Sequence, residues 1–196
     1  MVDASSDVLS RVIDYSKIDL LFACAQKNVG PSGVTLVVAR KKWIEESRAL
    51  TERLPEYWRY STHMDNQSLY NTPPTFAIYL AGLVFKWIEN QGGVAALEAQ
   101  NQEKSALLYQ AIESSSFYTS PIRPEHRSQM NVVFQIQGGN PDLEAQFVSE
   151  AAQNGLNGLK GHRAIGGLRA SIYNAVSKEA VQTLISFMEQ FEKKHG

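Results

Sequence analysis

Only one cysteine, Cys24, stands among 196 residues, so no intrachain disulfide can form and a reducing compartment is expected. An excess of either charge sign is missing too. A net charge of −1 gives no general pull toward nucleic acid or an anionic membrane. Long hydrophobic runs are absent: the longest, Phe76 to Phe85 with one glycine, is too short to span a bilayer. The opening MVDASSDVLS has neither a basic n-region nor an apolar h-region. No secretory signal is expected there, and the cytoplasm is the expected location. His63, His126 and His195 have no ligand spacing with one another or with Cys24, which argues against zinc. Repeats and low-complexity tracts are lacking. Of the glycine-rich stretches, "GPSG" lacks the Lys-Ser/Thr ending of a phosphate loop, and "GHRAIGG" does not match the dinucleotide fingerprint.

What remains is a globular composition, 43% hydrophobic and 20% charged, long enough for one domain or one and a half. Two short apolar runs, Ile18–Ala25 (IDLLFACA) and Val34–Ala39, read as strands, with Cys24 as a small core residue of the first. Val2–Asp3 reads as the end of a third. Residues 41–48 suit a short helix, and 49–70 read as irregular and aromatic. A helix is expected from Thr75 to Asn90, with Thr72 as its cap and Pro73 in its first position. A second helical pattern runs from Val94 to Glu113, with Leu97, Ala106, Leu107, Tyr109 and Ile112 as candidate apolar positions. Beyond Ser114–Ser116 the elements shorten. Strands are expected over 131–136 and 168–174, a helix over 142–153, and a final helix capped by Ser177. Its last turn carries Lys193, Lys194 and His195, which suit the negative end of its dipole. Parallel sheets need strands alternating with crossover helices, and the first hundred residues hold too few strands to complete one. That part reads as a domain entered midway.

Three stretches carry candidate chemistry. In "AQKNVGPSG" Lys27 follows an apolar strand and precedes a turn of Gly, Pro, Ser and Gly. It is either a strand-end lysine lifting its ammonium into water or an amine held in a cleft as a nucleophile. In "LKGHRAIGGLRASIYNA" His162 and Arg163 stand in a glycine-punctuated loop, expected over Gly161–Gly167, ahead of Arg169 on a strand. These are either solvated surface cations or an anion site, since Arg forks grip carboxylates and phosphates at two points. In "YNTPPT" the helix start could draw an anion through the Thr72 hydroxyl and the Asn71 side chain, although Pro73 and Pro74 remove two N–H donors.

Together these stretches resemble one family, the phosphoserine aminotransferases, which are fold-type I transaminases dependent on pyridoxal phosphate. "AQKNVGPSG" looks like its Schiff-base motif. "HMDNQSLYNTPPTFAIYLAGLVFKWIENQGGV" and "LKGHRAIGGLRASIYNA" are similar to its later motifs, in the same order. The resemblance covers the chain from Val2 to Gly196. It implies an α/β fold: the C-terminal part of the large cofactor-binding domain, residues 1–100, followed by a small α+β domain, 101–196.

By position, the resemblance makes Lys27 the lysine that carries pyridoxal phosphate and Asp3 the carboxylate facing its pyridine nitrogen. Gln26 would contact the cofactor phosphate. Asn71 and Thr72 would reach the phosphate in the partner's site of a homodimer. Arg169 would clamp the substrate α-carboxylate, and His162 and Arg163 would grip a distal phosphate or second carboxylate. The implied reaction is transamination between glutamate and 3-phosphohydroxypyruvate in serine biosynthesis, with a related role in pyridoxine synthesis as a further option. Neither nucleic acid nor membrane is an expected partner. The family's residues that precede the position of Val2 include its main phosphate-binding loop and the aromatic residue stacked on the ring. Trp43, Trp58 and Trp87 do not substitute for that residue by position. The alternative is therefore a catalytically silent remnant that persists as a folded dimerisation module.

Overall fold

The computed structural model describes residues 1–163 and 165–196, and these divide into two compact units, Met1–Val94 and Ala95–Gly196. In the first, β1 (Val2–Asp3), β2 (Leu20–Cys24) and β3 (Thr35–Ala39) form one sheet in that order. β1 runs parallel to β2, with Asp3 opposite Phe22, and β3 runs antiparallel to it. The apolar run thus becomes the central strand. Leu21, Ala23 and Ala25 bury against Ala4, Val8, Val29 and Ala81. Cys24 alternates to the other face and is half-buried, not part of that core.

The helix α1 (Lys41–Thr51) runs one turn beyond the expected end. The stretch read as irregular contains a short helix, α2 (Tyr60–Asp65), which has no side-chain cap. Arg48 of α1 clamps Asp65 through two nitrogens at 2.8 Å each, a contact invisible to local periodicity. The next helix, α3, spans Thr75–Asn90 as the pattern indicates, but its start differs. Pro74 is the N-cap and no side chain caps the helix, so Thr72 and Pro73 precede it. The reason is steric: a residue before proline is pushed out of the helical region, so Pro73 is held extended by Pro74.

The helix α4 (Gly93–Glu113) begins at the end of the first unit, and residue 100 falls inside it. Its buried stripe is Leu97, Asn101, Lys104, Ser105, Leu108, Tyr109 and Ile112; Ala106 is exposed and Leu107 half-buried. The second unit is a four-stranded antiparallel sheet in the order β4 (Tyr118–Thr119), β5 (Asn131–Ile136), β7 (Gly166–Ser171), β6 (Lys160–His162). Strict alternation puts Val132, Phe134 and Ile136 of β5 with Leu168 and Ala170 of β7 on one face. That face packs on residues of α4, α5 (Pro141–Gln153) and α6 (Lys178–His195). Phe147 of α5 sits at its centre, edge-on to Tyr118, Phe134, Phe187 and Phe191 with ring centroids 5.0–6.2 Å apart. Each such fully buried aromatic contributes about 1.5–3 kcal/mol. Caps set the helix starts: Asn140 accepts from the Asp142 and Leu143 N–H groups, and Ser177 from that of Ala180.

Candidate active site

Lys27 stands where β2 ends. The Ala25 carbonyl accepts from the Lys27 N–H at 2.6 Å and from the Gly30 N–H at 2.8 Å, which closes a tight turn. Asn28 and Val29 are buried beneath it, the Asn28 amide donating to the Val8 carbonyl at 3.2 Å, while Gln26 and Lys27 face outward, exposed. Gly30 has a φ of +144° and lies against Ala81 of α3, so the turn is held from below by that helix. The residues that fix the turn are therefore apolar or amide, and the two that leave it are polar and exposed.

Asp3 ends β1, the parallel neighbour of β2, so it reaches the same end of the sheet as Lys27. Its carboxylate accepts from the Ser5 N–H at 2.9 Å. Interactions with the Ser5 hydroxyl and N–H hold Asp3 below the usual carboxylate range, and the charge of Lys27 adds to the effect. The structure thus brings Asp3 and Lys27 into one electrostatic neighbourhood. Ser5 escaped the sequence reading. Its hydroxyl accepts from the Cys24 N–H at 3.1 Å, tying the loop after Asp3 to the end of β2. A serine two residues beyond an aspartate is the one local signal that could have marked it.

Asn71 and Thr72 are exposed on the link before α3, and the Asn71 amide donates to the Thr72 carbonyl at 3.1 Å. The remaining candidates belong to the second unit. The expected loop over Gly161–Gly167 is the tip of a β-hairpin: His162 ends β6 and pairs with Gly166, and β7 opens at Gly166, two residues ahead of the expected start. Ala164 lies outside the described residues. Glycine is required at position 161, because a Cβ there would overlap the carbonyl oxygens of Gly166 and Gly167. The segment that read as a glycine-punctuated loop therefore includes, at Gly161, a close approach of two strands. The Ile165 N–H donates to the His162 carbonyl at 2.9 Å, which presents His162, Arg163 and Ile165 to solvent.

Arg169 lies in the middle of β7, opposite Val133, and its N–H donates to the Leu159 carbonyl at 2.9 Å. It stands on the sheet face away from the helices. Its Nε is buried and has no hydrogen-bond partner among the described residues. A buried guanidinium donor left without an acceptor is costly, so the position suits an anionic ligand. Among the described residues no group of three His, Cys, Asp or Glu side chains is placed to hold a metal ion.

Residues 1–184 match the aminotransferase class-V family. A phosphoserine aminotransferase of Coxiella burnetii (strain RSA 331 / Henzerling II) is 52% identical over 194 residues, covering 99% of this chain and 53% of that protein. The solved phosphoserine aminotransferase from Bacillus circulans subsp. alkalophilus superposes with a TM-score of 0.93 at 46% identity, over 100% of this chain and 53% of that one. The pyridoxal-phosphate-bound phosphoserine aminotransferase from Trichomonas vaginalis gives 0.90 at 43% identity, over 96% and 53%. The chain spans about half the length of the curated relatives it matches.

Proposed function

The chain belongs to the class-V aminotransferase family, and on that premise we propose that it carries the lysine and substrate-gripping half of a phosphoserine aminotransferase site. The observation that supports this reading most is the placement of Lys27 and Asp3 at one end of the first sheet. An exposed amine leaves a turn fixed by Asn28 and Val29, and a carboxylate held ionised stands at the end of the adjoining parallel strand. That donor set fits pyridoxal phosphate. Lys27 would hold it through its amine, Asp3 would face the pyridine nitrogen, and Gln26 would meet the phosphate. Asn71 and Thr72 would serve the site of a second copy in a homodimer. When bound, pyridoxal phosphate supplies an electron sink that acidifies the substrate Cα–H.

The chain's own residues do the rest. An ionised Asp3 keeps a positive partner protonated opposite it. The Lys27 amine would serve as the base that takes the proton from the substrate Cα and as the acid that later returns one. Arg169 grips the α-carboxylate from a strand, which fixes the plane of the acid. His162 and Arg163, at the hairpin tip, meet the distal anion. The substrates are glutamate and 3-phosphohydroxypyruvate, the setting is cytoplasmic serine synthesis, and a phosphorylated threonine-like acid of pyridoxine synthesis fits the same grips.

A second reading, a folded association module without turnover, is supported by the outward-facing apolar residues of α3, Phe76 and Tyr79 among them. One assay separates the two. The chain is incubated with pyridoxal phosphate, L-glutamate and 3-phosphohydroxypyruvate, and phosphoserine is followed by mass spectrometry. Formation that needs the cofactor and disappears in Lys27→Ala supports the transaminase. Cofactor binding without product supports the module. Equal product from Lys27→Ala would overturn the assignment of Lys27.

A further inference from the structure

The face of the small sheet that carries Arg169 holds a second pre-set donor. On β5 the residues of that face are Asn131, Val133 and Gln135; on β7 they are Gly167, Arg169 and Ser171. Register places Val133 opposite Arg169 and Asn131 opposite Ser171, so Asn131 is the diagonal neighbour of Arg169. Diagonal positions lie within reach of long side chains. The Asn131 carbonyl oxygen accepts two hydroxyl donors, Ser171 Oγ at 3.1 Å and Tyr173 Oη at 3.1 Å. An amide oxygen has two acceptor sites, and both are taken. The amide is therefore locked in one orientation, with its NH₂ group aimed away from those hydroxyls. No described residue accepts a hydrogen bond from that nitrogen.

The geometry points to Asn131 as a specificity-determining residue: its amide nitrogen donates to the same substrate carboxylate that Arg169 Nε holds. This rests on the anion-gripping role proposed for Arg169. Two features make the pair more selective than the arginine alone. A fixed neutral donor costs little ordering on binding, whereas a free amide would have to give up its rotation. A donor on each side of a planar acid also reads its orientation, while the guanidinium supplies the charge. Ser171 and Tyr173 act through Asn131, as the hydroxyls that hold it.

The test is equilibrium dialysis of the full chain against radiolabelled 2-oxoglutarate, with inorganic phosphate as a second probe, joined to an amide spectrum of the chain labelled with ¹⁵N-asparagine and ¹⁵N-arginine. On saturation with 2-oxoglutarate, the Asn131 side-chain NH₂ pair and the Arg169 Nε–H signal should shift with a common midpoint. Asn131→Ala should raise that midpoint about tenfold, the loss expected for one hydrogen bond to a charged group. Asn131→Asp keeps the oxygen that Ser171 and Tyr173 require, so the fold is retained, and it should weaken 2-oxoglutarate more than the alanine variant does. Phosphate, which is not planar, should respond less to Asn131→Ala. An Arg169 signal that moves while the Asn131 pair stays still would overturn the inference and leave the role of Arg169 standing. A midpoint unchanged in both variants would overturn it as well. If neither signal moves with 2-oxoglutarate, the reading of Arg169 fails and the inference fails with it.

Discussion

Lys104 is a charged side chain inside the second core, 4% exposed, whose ammonium donates to the carbonyls of Ile172, Tyr173 and Val176 at 3.4, 3.0 and 2.8 Å. It fastens α4 to the end of the strand that bears Arg169 and to the turn entering α6. Burial lowers its pKa below the ordinary 10.5. Below the lowered value both folded and unfolded chains are protonated, and the cost of burying the charge is fully present. Between that value and 10.5 the unfolded chain holds the extra proton, so stability rises with pH across the window. Lys104→Met removes the donors from three carbonyls and should cost about 1–3 kcal/mol near neutrality, read by urea unfolding. The gap to the wild type should widen as pH approaches 10.5; a gap that narrows would contradict the buried-amine account. The sequence did not display this residue. A lysine in a helical pattern reads as solvent-facing, and helical spacing puts the apolar stripe through Ala106 and Leu107, because the groups that satisfy Lys104 are main-chain carbonyls far along the chain. The turn that carries Lys27 was legible for the opposite reason: its strand and its glycine-proline signals are contiguous.

At the scale of elements, local chemistry decided what could be read. Helices with a proline or a side-chain cap at the start, α5 and α6, carry their signals within four residues. The two-residue strand β4 and the three-residue β6 are too short for any period to show, and they exist through pairing with β5 and β7. The hairpin of β6 and β7 was hidden by its own glycines. Its geometry makes a sharp demand: at Gly161 a methyl group meets two backbone oxygens, which cannot move without splaying the strands. Gly161→Ala should therefore destabilise the second unit by more than 2 kcal/mol, roughly the upper range of ordinary single substitutions. It should also raise amide exchange at Arg169, whose N–H donates to the Leu159 carbonyl at the entry to β6. Exchange unchanged at that position would show that the hairpin absorbs the methyl and that the close approach is not required.

For the whole molecule, the apolar surface of the first unit governs behaviour. On α3 only Ala81 and Ile88 are buried, while Phe76 is 73% and Tyr79 61% exposed and Ile78, Leu83, Phe85 and Trp87 also face outward. Among the described residues no helix is long and apolar enough to cross a membrane. Phe76, Tyr79, Leu83 and Trp87 recur at three- and four-residue spacing on one side of α3, a face that favours association between chains. Light scattering should return a species larger than 21.8 kDa at micromolar concentration, and a monodisperse 21.8 kDa particle would refute the expectation. A change of texture was legible after Ser114–Ser116, where strand and helix signals shorten, but it falls inside the second unit, which begins at Ala95. How the first sheet is bounded was not legible, because a strand of two residues such as β1 declares itself through its pairing with β2. The proposal that matters most joins all three scales: one lysine, on one turn, receives the cofactor. The chain should be mixed with one equivalent of pyridoxal phosphate, reduced with borohydride to make any lysine linkage permanent, and digested for peptide mapping by mass spectrometry. The expected result is a pyridoxyl phosphate adduct concentrated on Lys27 and lost in Lys27→Ala, whereas label spread evenly over the surface lysines, or concentrated on a different one, would contradict it.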